Sequence, residues 1–271
     1  MQADVYDING KIVSKIELPK EFSKEYRKDL IIRALLAENT LRLQPQGHAP
    51  EAGMQASVSY VGRRGAYRSQ VHTGRPGRPR QKLSEGRLGD VRRIPSAVKG
   101  RRAHPHKVEK NIIEVINNKE YTKAIISAIA YTNNAKEVYK IDKDTPIIVE
   151  DAIEKISKTK DLVSLIKRLG LEKQLEDVEK RKRIRKGLRR SARQRSYKKW
   201  LLFVTLDSNA DLLKAARNIK GVDAVPLEKL SVDKLVPGGN NPRIVIWSLS
   251  SVKNIDKIKN LRFIDTVSVN R

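Results

Sequence analysis

The side chains best suited to chemistry in this sequence are cations, and they are clustered. From Tyr60 to Arg80 the chain sets Arg63, Arg64, Arg68, Arg75, Arg78 and Arg80 among glycines and prolines. Guanidinium forks pair bidentately with phosphate or stack on bases, glycine lets the backbone approach a phosphate wall, and proline stiffens an extended path. Tyr60 and Tyr67 add aromatic faces on which exposed bases can stack. Lys82, Arg87, Arg92, Arg93, Lys99, Arg101, Arg102, His104 and Lys107 continue the series. A second run, residues 180–199, holds twelve Lys and Arg and no acid, among them Lys186, Arg189, Arg190, Arg193, Arg195, Lys198 and Lys199. Cations without a neighbouring acid lack intramolecular partners, so this run is expected to face phosphate. The bland alternatives are a loop that binds any anion weakly and a solvated charged face. Gly74 to Arg80 also resembles a minor-groove AT hook, a match that two Arg-Pro pairs produce from composition alone.

Enzyme chemistry is harder to assemble. With no cysteine there is no thiolate nucleophile, no disulfide framework and no Cys-based zinc site. His48, His72, His104 and His106 all lie in the first basic segment. His104 and His106 form a nominal metal pair but lack a Cys or an acidic cluster beside them, and they read as phosphate or base contacts. The glycines build neither a P-loop nor a dinucleotide fingerprint, and Gly238-Gly239-Asn240 after Pro237 reads as a turn. Asp207 stands just past a predicted strand end, where α/β enzymes place catalytic acids, but helix capping near Ser208 is the simpler reading. The expectation is therefore no catalytic residue, no cofactor and no metal.

The elements that position these cations follow from where the charge sits. Lys plus Arg number 57 against 31 acids, a net of +26. Residues 44–107 carry fourteen cations against three acids, residues 180–199 carry twelve against none, and the other 187 residues are nearly neutral. A body of ordinary composition thus bears two cationic appendages. Such an excess repels itself unless a polyanion neutralises it; nucleic acid is the commonest, an acidic membrane surface the other candidate. No run of 18 apolar residues exists, and Met-Gln-Ala-Asp-Val is neither a signal peptide nor a myristoylation site, so a soluble, intracellular chain is expected.

Residues 44–107 hold nine of the fifteen glycines and six of the eleven prolines, with no helical or strand period. They are expected to form a disordered or loosely extended insertion in a domain made of residues 1–43 and 108–271. Run out and back, the insertion reaches at most roughly 100 Å. In the body, Val5–Ile8 and Lys11–Val13 around Asn9-Gly10 predict a β-hairpin, with positive φ tolerated at both turn centres. Apolar spacing predicts a long helix from Glu21 to Leu43, two helices over Ile112–Ile116 and Tyr121–Thr132, and a helix over Thr159–Leu169 stopped by Gly170. A further helix starts near Leu171, and others are expected over Ala210–Lys220 and Ser250–Leu261. Pro146–Glu150, Leu201–Leu206, Val222–Val225 and Ile244–Trp247 read as strands, apolar on both faces. Such strands alternating with helices predict a three-layer αβα domain with a mostly parallel sheet.

The block Arg92-Arg93-Ile94-Pro95-Ser96-Ala97-Val98-Lys99-Gly100-Arg101-Arg102-Ala103-His104-Pro105 resembles the archaeal and eukaryotic form of the universal fourth protein of the large ribosomal subunit. Ser191-Ala192-Arg193, Leu202–Thr205 and Pro237-Gly238-Gly239 are similar to further blocks of that family, in the same order. His106 departs from it, standing where the family commonly has a second proline. The resemblance implies a non-enzymatic α/β domain on the solvent side of the subunit, with a long loop threading through large-subunit rRNA. It implies early assembly, a loop region around Arg63–Arg80 nearest the polypeptide exit tunnel, and Arg92–Lys107 packed in rRNA. The implied partners are large-subunit rRNA, the nascent polypeptide and neighbouring proteins, including the L twenty-two tunnel protein family. Two other classes stay open on the residues alone: an RNA-modifying α/β enzyme and a chromatin-type DNA-binding protein.

Overall fold

A computed structural model of the chain describes residues 1–180, 183–184, 195–260 and 263. It divides into two compact units, Met1–Arg42 with Ile113–Arg271, and Leu43–Ile112. In the first unit β1 (Gln2–Tyr6) and β2 (Ile12–Glu17) form an antiparallel hairpin, followed by α1 (Lys28–Thr40). The second unit contributes β3 (Val58–Ser59), β4 (Arg80–Lys82) and β5 (Leu88–Val91). The first unit then resumes with α2 (Asn118–Thr132), α3 (Ala135–Tyr139), β6 (Ile147–Val149), α4 (Thr159–Arg168) and α5 (Glu172–Lys180). A short antiparallel pair follows, β7 (Arg183–Ile184) with β8 (Arg195–Ser196). The remaining elements are β9 (Leu201–Thr205), α6 (Leu212–Ala216), β10 (Val222–Pro226), α7 (Val232–Leu235), β11 (Ile244–Ser248) and α8 (Leu249–Lys253).

The main sheet has the order β10-β9-β11-β6-β1-β2, with every neighbouring pair parallel except the β1–β2 edge. Its central strands are buried on both faces because successive side chains point to opposite layers. Leu202 and Val204 of β9 join Val245 and Trp247 of β11 beneath α1, α2, α7 and α8. Leu201 and Phe203 join Ile244 and Ile246 beneath α3, α4, α5 and α6. This is the three-layer arrangement expected from the sequence. Each such aliphatic or aromatic side chain contributes about 1.5–3 kcal/mol by leaving water.

Several boundaries differ from the sequence expectation, each for a local reason. The helix predicted from Glu21 to Leu43 is broken into a 3-10 turn, Lys20–Ser23, and α1. Side chains of α2 and of its C-cap take up backbone in the turn and after it: Asn133 Nδ2 donates to Phe22 O, Arg27 N donates to Ser127 Oγ, and that hydroxyl donates to Glu25 O. The helix expected over Ile112–Ile116 is absent, and Asn117 instead caps α2 by accepting from Lys119 N. The helix expected over Ala210–Lys220 shrinks to α6, and the last one gives way to a 3-10 turn over Ile255–Asn260; Leu261 lies outside the described residues. At the hairpin only Gly10 takes positive φ, +78°. Gly10 N donates to Asp7 O and Asp7 N to Lys11 O, a type I turn closed by a left-handed glycine rather than a two-residue turn.

One polar side chain organises the layer above the sheet. Glu38 of α1 is fully buried and accepts from Tyr121 Oη at 2.7 Å, Val232 N at 2.8 Å and Asp233 N at 2.9 Å. The last two are free N–H groups at the start of α7, so a carboxylate from α1 caps it in place of a local side chain. Burial pushes the Glu38 carboxyl above its ordinary value, against the pull of the three donors. One turn on, Arg42 reaches Asp233 at 2.8 Å. Glu114 N donates to Thr40 Oγ1 at 3.1 Å, so the two chain ends flanking Leu43–Ile112 are tied together within the first unit.

Candidate nucleic-acid interface

The segment from Leu43 to Ile112 carries more structure than its composition predicts. β3, β4 and β5 form a three-stranded antiparallel sheet, pairing Ser59 with Arg80 and Arg80 with Val91. Too few large aliphatics are present to build a core, and the backbone is held instead by polar side chains. Gln70, buried, donates through Nε2 to Ser59 O and through its backbone N to Val61 O. Near the ends of the segment His48 N donates to His106 O.

Arginine does much of this stitching. Arg68 Nη2 donates to Leu83 O at 2.6 Å, Arg75 Nη1 to Leu88 O at 3.4 Å, Arg80 Nη2 to Pro76 O at 3.3 Å and Arg93 Nε to Met54 O at 2.8 Å. Arg78 Nη1 donates to Ser96 Oγ at 2.6 Å, Arg92 pairs with Asp90 and with Val98 O, and Arg87 pairs with Glu85. Arg80 is nearly covered, so its forks serve the fold. Within the signature block, Ala97 N donates to Ile94 O and Gly100 N to Ala97 O. A Cβ on Gly100 would lie 1.9 Å from Ile94 O, and one on Gly53 would lie 2.5 Å from Gly100 O. Only glycine lets these strands of backbone touch.

The other predicted contacts are left outward. Arg63, Arg64, Lys82, Lys99, Arg101, Arg102, His104 and Lys107 are exposed, and their side chains make no hydrogen bond or ion pair within the described residues. Tyr67 is 77% exposed with the Arg68 guanidinium 5.2 Å from its ring centroid, leaving an aromatic face free. Tyr60 is half exposed but wedged between backbones: a Cβ on Gly62 or Gly77 would meet its ring at about 3 Å. Arg68, Arg93 and Lys99 all adopt left-handed φ between 59° and 66°, a conformation unusual for side chains of this size.

In the second basic run, Lys186, Arg189, Arg190 and Arg193 lie outside the described residues, and Arg195 is described only through its place in β8. The expectation that the run lacks intramolecular partners is corrected at its ends. Lys180 pairs with Glu176, Lys199 Nζ lies 3.1 Å from Asp223, and Lys198 Nζ sits 4.8 Å from the Tyr139 ring centroid. Glu176 lies one turn back on α5, outside the run, and Asp223 and Tyr139 come from other elements, none of which a count along the run sees. Sequence reasoning also missed Arg243, fully buried before β11 and bonded to Asp223 at 2.7 Å. Its only signal was a cation placed directly before an apolar strand.

At the opposite, C-terminal ends of the parallel strands, an open cleft of about 520 Å³ is lined by Asp151, Glu154, Asp207 and Asp211. Asp151 and Glu154 are engaged, accepting from Ser250 and from Leu206 N. Among the described residues no group of three or more His, Cys, Asp or Glu side chains is placed so that it could hold a metal ion, and no helix is long and apolar enough to cross a membrane.

Comparison with known proteins places this geometry in a family context. Residues 16–258 match the model of the ribosomal protein L4/L1 family. The chain is similar to large ribosomal subunit protein uL4 of Methanocaldococcus jannaschii, 38% identical over 261 residues that cover 94% of this chain and 98% of the relative. It is 39% identical over 271 residues to uL4 of Nanoarchaeum equitans, covering 96% and 99% of the two chains, and 39% identical over 263 residues to uL4 of Sulfurisphaera tokodaii, covering 93% of each.

Proposed function

The chain belongs to the ribosomal protein L4/L1 family, and from that premise we propose that it binds and stabilises folded large-subunit rRNA from early in assembly and lines part of the polypeptide exit tunnel. Membership makes it a structural component of the large subunit of the cytoplasmic ribosome rather than an enzyme. The readings as an RNA-modifying enzyme or a chromatin protein give way to it.

The observation that carries the rRNA reading is the division of labour among the cations. Some arginines of Leu43–Ile112 hold their own backbone, while Arg63, Arg64, Lys82, Lys99, Arg101, Arg102 and Lys107 are left exposed and unpaired on a segment with an excess of eleven positive charges. Unpaired cations on a pre-shaped scaffold suit a phosphate surface, where contact gives affinity and register. Tyr67 offers the stacking face; Tyr60, wedged between glycines, stacks only with its outer side. The excursion between β3 and β4 carries Arg63, Arg64 and Tyr67 and is the part assigned to the tunnel wall, facing the nascent chain and the L twenty-two tunnel protein family. Arg92–Lys107 is assigned to buried rRNA contacts, with Lys186, Arg189, Arg190, Arg193, Arg195, Lys198 and Lys199 as the second rRNA-binding segment.

Two variants expressed in place of the natural protein test this. Arg63→Ala with Arg64→Ala removes charges that hold no part of the fold, so subunit yield by sedimentation should be unchanged while the passage of stalling peptides or access of tunnel-binding drugs changes. Arg101→Ala, Arg102→Ala and Lys107→Ala together should lower subunit yield. Loss of assembly in the first variant with normal stalling in the surviving ribosomes would overturn the tunnel assignment.

A further inference from the structure

A third cationic cluster lies on the α/β body, apart from both basic segments except at Lys199. Asp223, near the start of β10, places Oδ2 2.7 Å from Arg243 Nη1, 3.1 Å from Lys199 Nζ and 3.7 Å from Lys234 Nζ. Lys199 precedes β9 and Arg243 precedes β11, and these strands with β10 are adjacent in the sheet. The cluster therefore marks the N-terminal edge of three neighbouring parallel strands, the edge opposite the acidic cleft. Asp233, which also acts on Lys234, is occupied by Arg42. Counting both acids against Arg42, Lys199, Lys234 and Arg243 leaves two positive charges unmatched.

This excess is not simply a solvated face. The Arg243 side chain is fully buried, and its Nε and Nη2 have no hydrogen-bond partner among the described residues. Lys234 keeps 22% of its side chain exposed and Lys199 46%, so the cluster opens from a buried guanidinium to two reachable ammonium groups. Burial, with Lys199 and Arg243 beside it, pushes Lys234 below its ordinary value while Asp223 and Asp233 pull the other way. An anion placed between the two ammonium groups would match the charge that Asp223 leaves over. Ammonium groups are point charges with rotatable donors, suited to a phosphate whose orientation is set elsewhere.

We propose that Lys199 and Lys234 form a docking site for one backbone phosphate of the bound RNA, with Asp223 and Arg243 as the positioning residues that hold the two lysines together. The inference rests on the rRNA-binding reading above, and it extends that interface from the end of the basic run onto the edge of the sheet. Because both lysines share a single carboxylate oxygen, they serve the same phosphate rather than two.

The test uses the full chain and a transcribed large-subunit rRNA domain, with affinity measured across a salt series. Lys199→Gln with Lys234→Gln should weaken binding about tenfold near 0.1 M salt and lower the slope of log affinity against log salt by about 0.7–0.9, the value of one phosphate contact. Exposed Lys160→Gln on α4 serves as the control and should leave both unchanged. Asp223→Asn separates positioning from charge: it raises the net charge, yet on this proposal it weakens RNA binding. If that variant fails to fold, Lys234→Met, judged folded by its urea midpoint, carries the question alone and should reduce the slope. An unchanged slope in the double variant overturns the site, and a slope loss near two assigns separate phosphates and overturns the shared one. Competition by 20 mM inorganic phosphate in the natural protein, lost in the double variant while the RNA slope stays unchanged, would make this a free-anion site. If the whole chain showed no salt-dependent rRNA binding, the failure would belong to the parent reading.

Discussion

Removing the Glu38 carboxylate should cost this protein a large part of its stability, although Tyr121, Val232 and Asp233, which donate to it, lie outside both basic segments. Glu38→Ala leaves Val232 N, buried, and Asp233 N, half-buried, without this acceptor and removes the bond from Tyr121 Oη to the carboxylate. Each lost bond costs about 1–3 kcal/mol, but the three share one carboxylate and are not additive, and the variant is spared the desolvation of a buried carboxylate. We therefore expect a loss of about 3–4 kcal/mol, against a total near 5–15 kcal/mol for a domain. Glu38→Gln keeps the volume and one oxygen but turns an amide N–H toward a donor, and should lose about half as much. Trp200 and Trp247 are both fully buried, on opposite faces of the sheet, so urea unfolding followed by fluorescence reports on both layers. The pH dependence has a definite sign. With its folded pKa raised above 4.5, Glu38 binds its proton more readily in the folded state, so its contribution is full below that value and declines as pH rises through the folded pKa. Glu38→Ala should abolish that decline. A loss under about 1 kcal/mol would refute the reasoning, showing that water meets the α7 donors once the carboxylate is gone.

Two further outcomes follow from other parts of the chain. Gly100→Ala should break the packing of residues 92–102 against Gly53, because its Cβ would lie 1.9 Å from Ile94 O; faster proteolysis between Gly62 and Lys99, with the urea midpoint of the body unchanged, checks this. Asp223 has a pKa lowered to about 2, against burial, by Arg243 first and then Lys234 and Lys199, so its stabilising contribution is present above pH 3.8 and is lost as pH falls toward 2. Discounted for its partial exposure, the loss should be about 1–2 kcal/mol in an acid titration, and Asp223→Asn should remove it.

The sequence made the layers legible because burial on both faces leaves a plain mark: residues 201–204 and 244–247 are unbroken apolar runs, and their helices carry one apolar stripe each. Helix ends were harder to read. The break before α1 depends on Ser127 and Asn133, about a hundred residues away, and nothing in the spacing of Phe22, Tyr26 and Leu30 announces it. The cations of Leu43–Ile112 were legible as a group, but not which of them hold backbone: Arg93 and Arg101 look alike in sequence, yet only Arg93 has a carbonyl in reach. Asp223 and Arg243 were invisible because they come from separate turns of the fold and meet only when three strands are aligned.

The bond between Thr40 and Glu114 has a consequence for how such a chain can change over generations. It makes the intervening residues a closed excursion whose ends the body already holds, so the body's stability depends on their number only through the entropy of closing a ring. That entropy grows logarithmically, and doubling the length costs about 0.6 kcal/mol, less than deleting one buried methylene. The excursion can therefore be lengthened, shortened or reshaped at little cost to the α/β body that holds its ends.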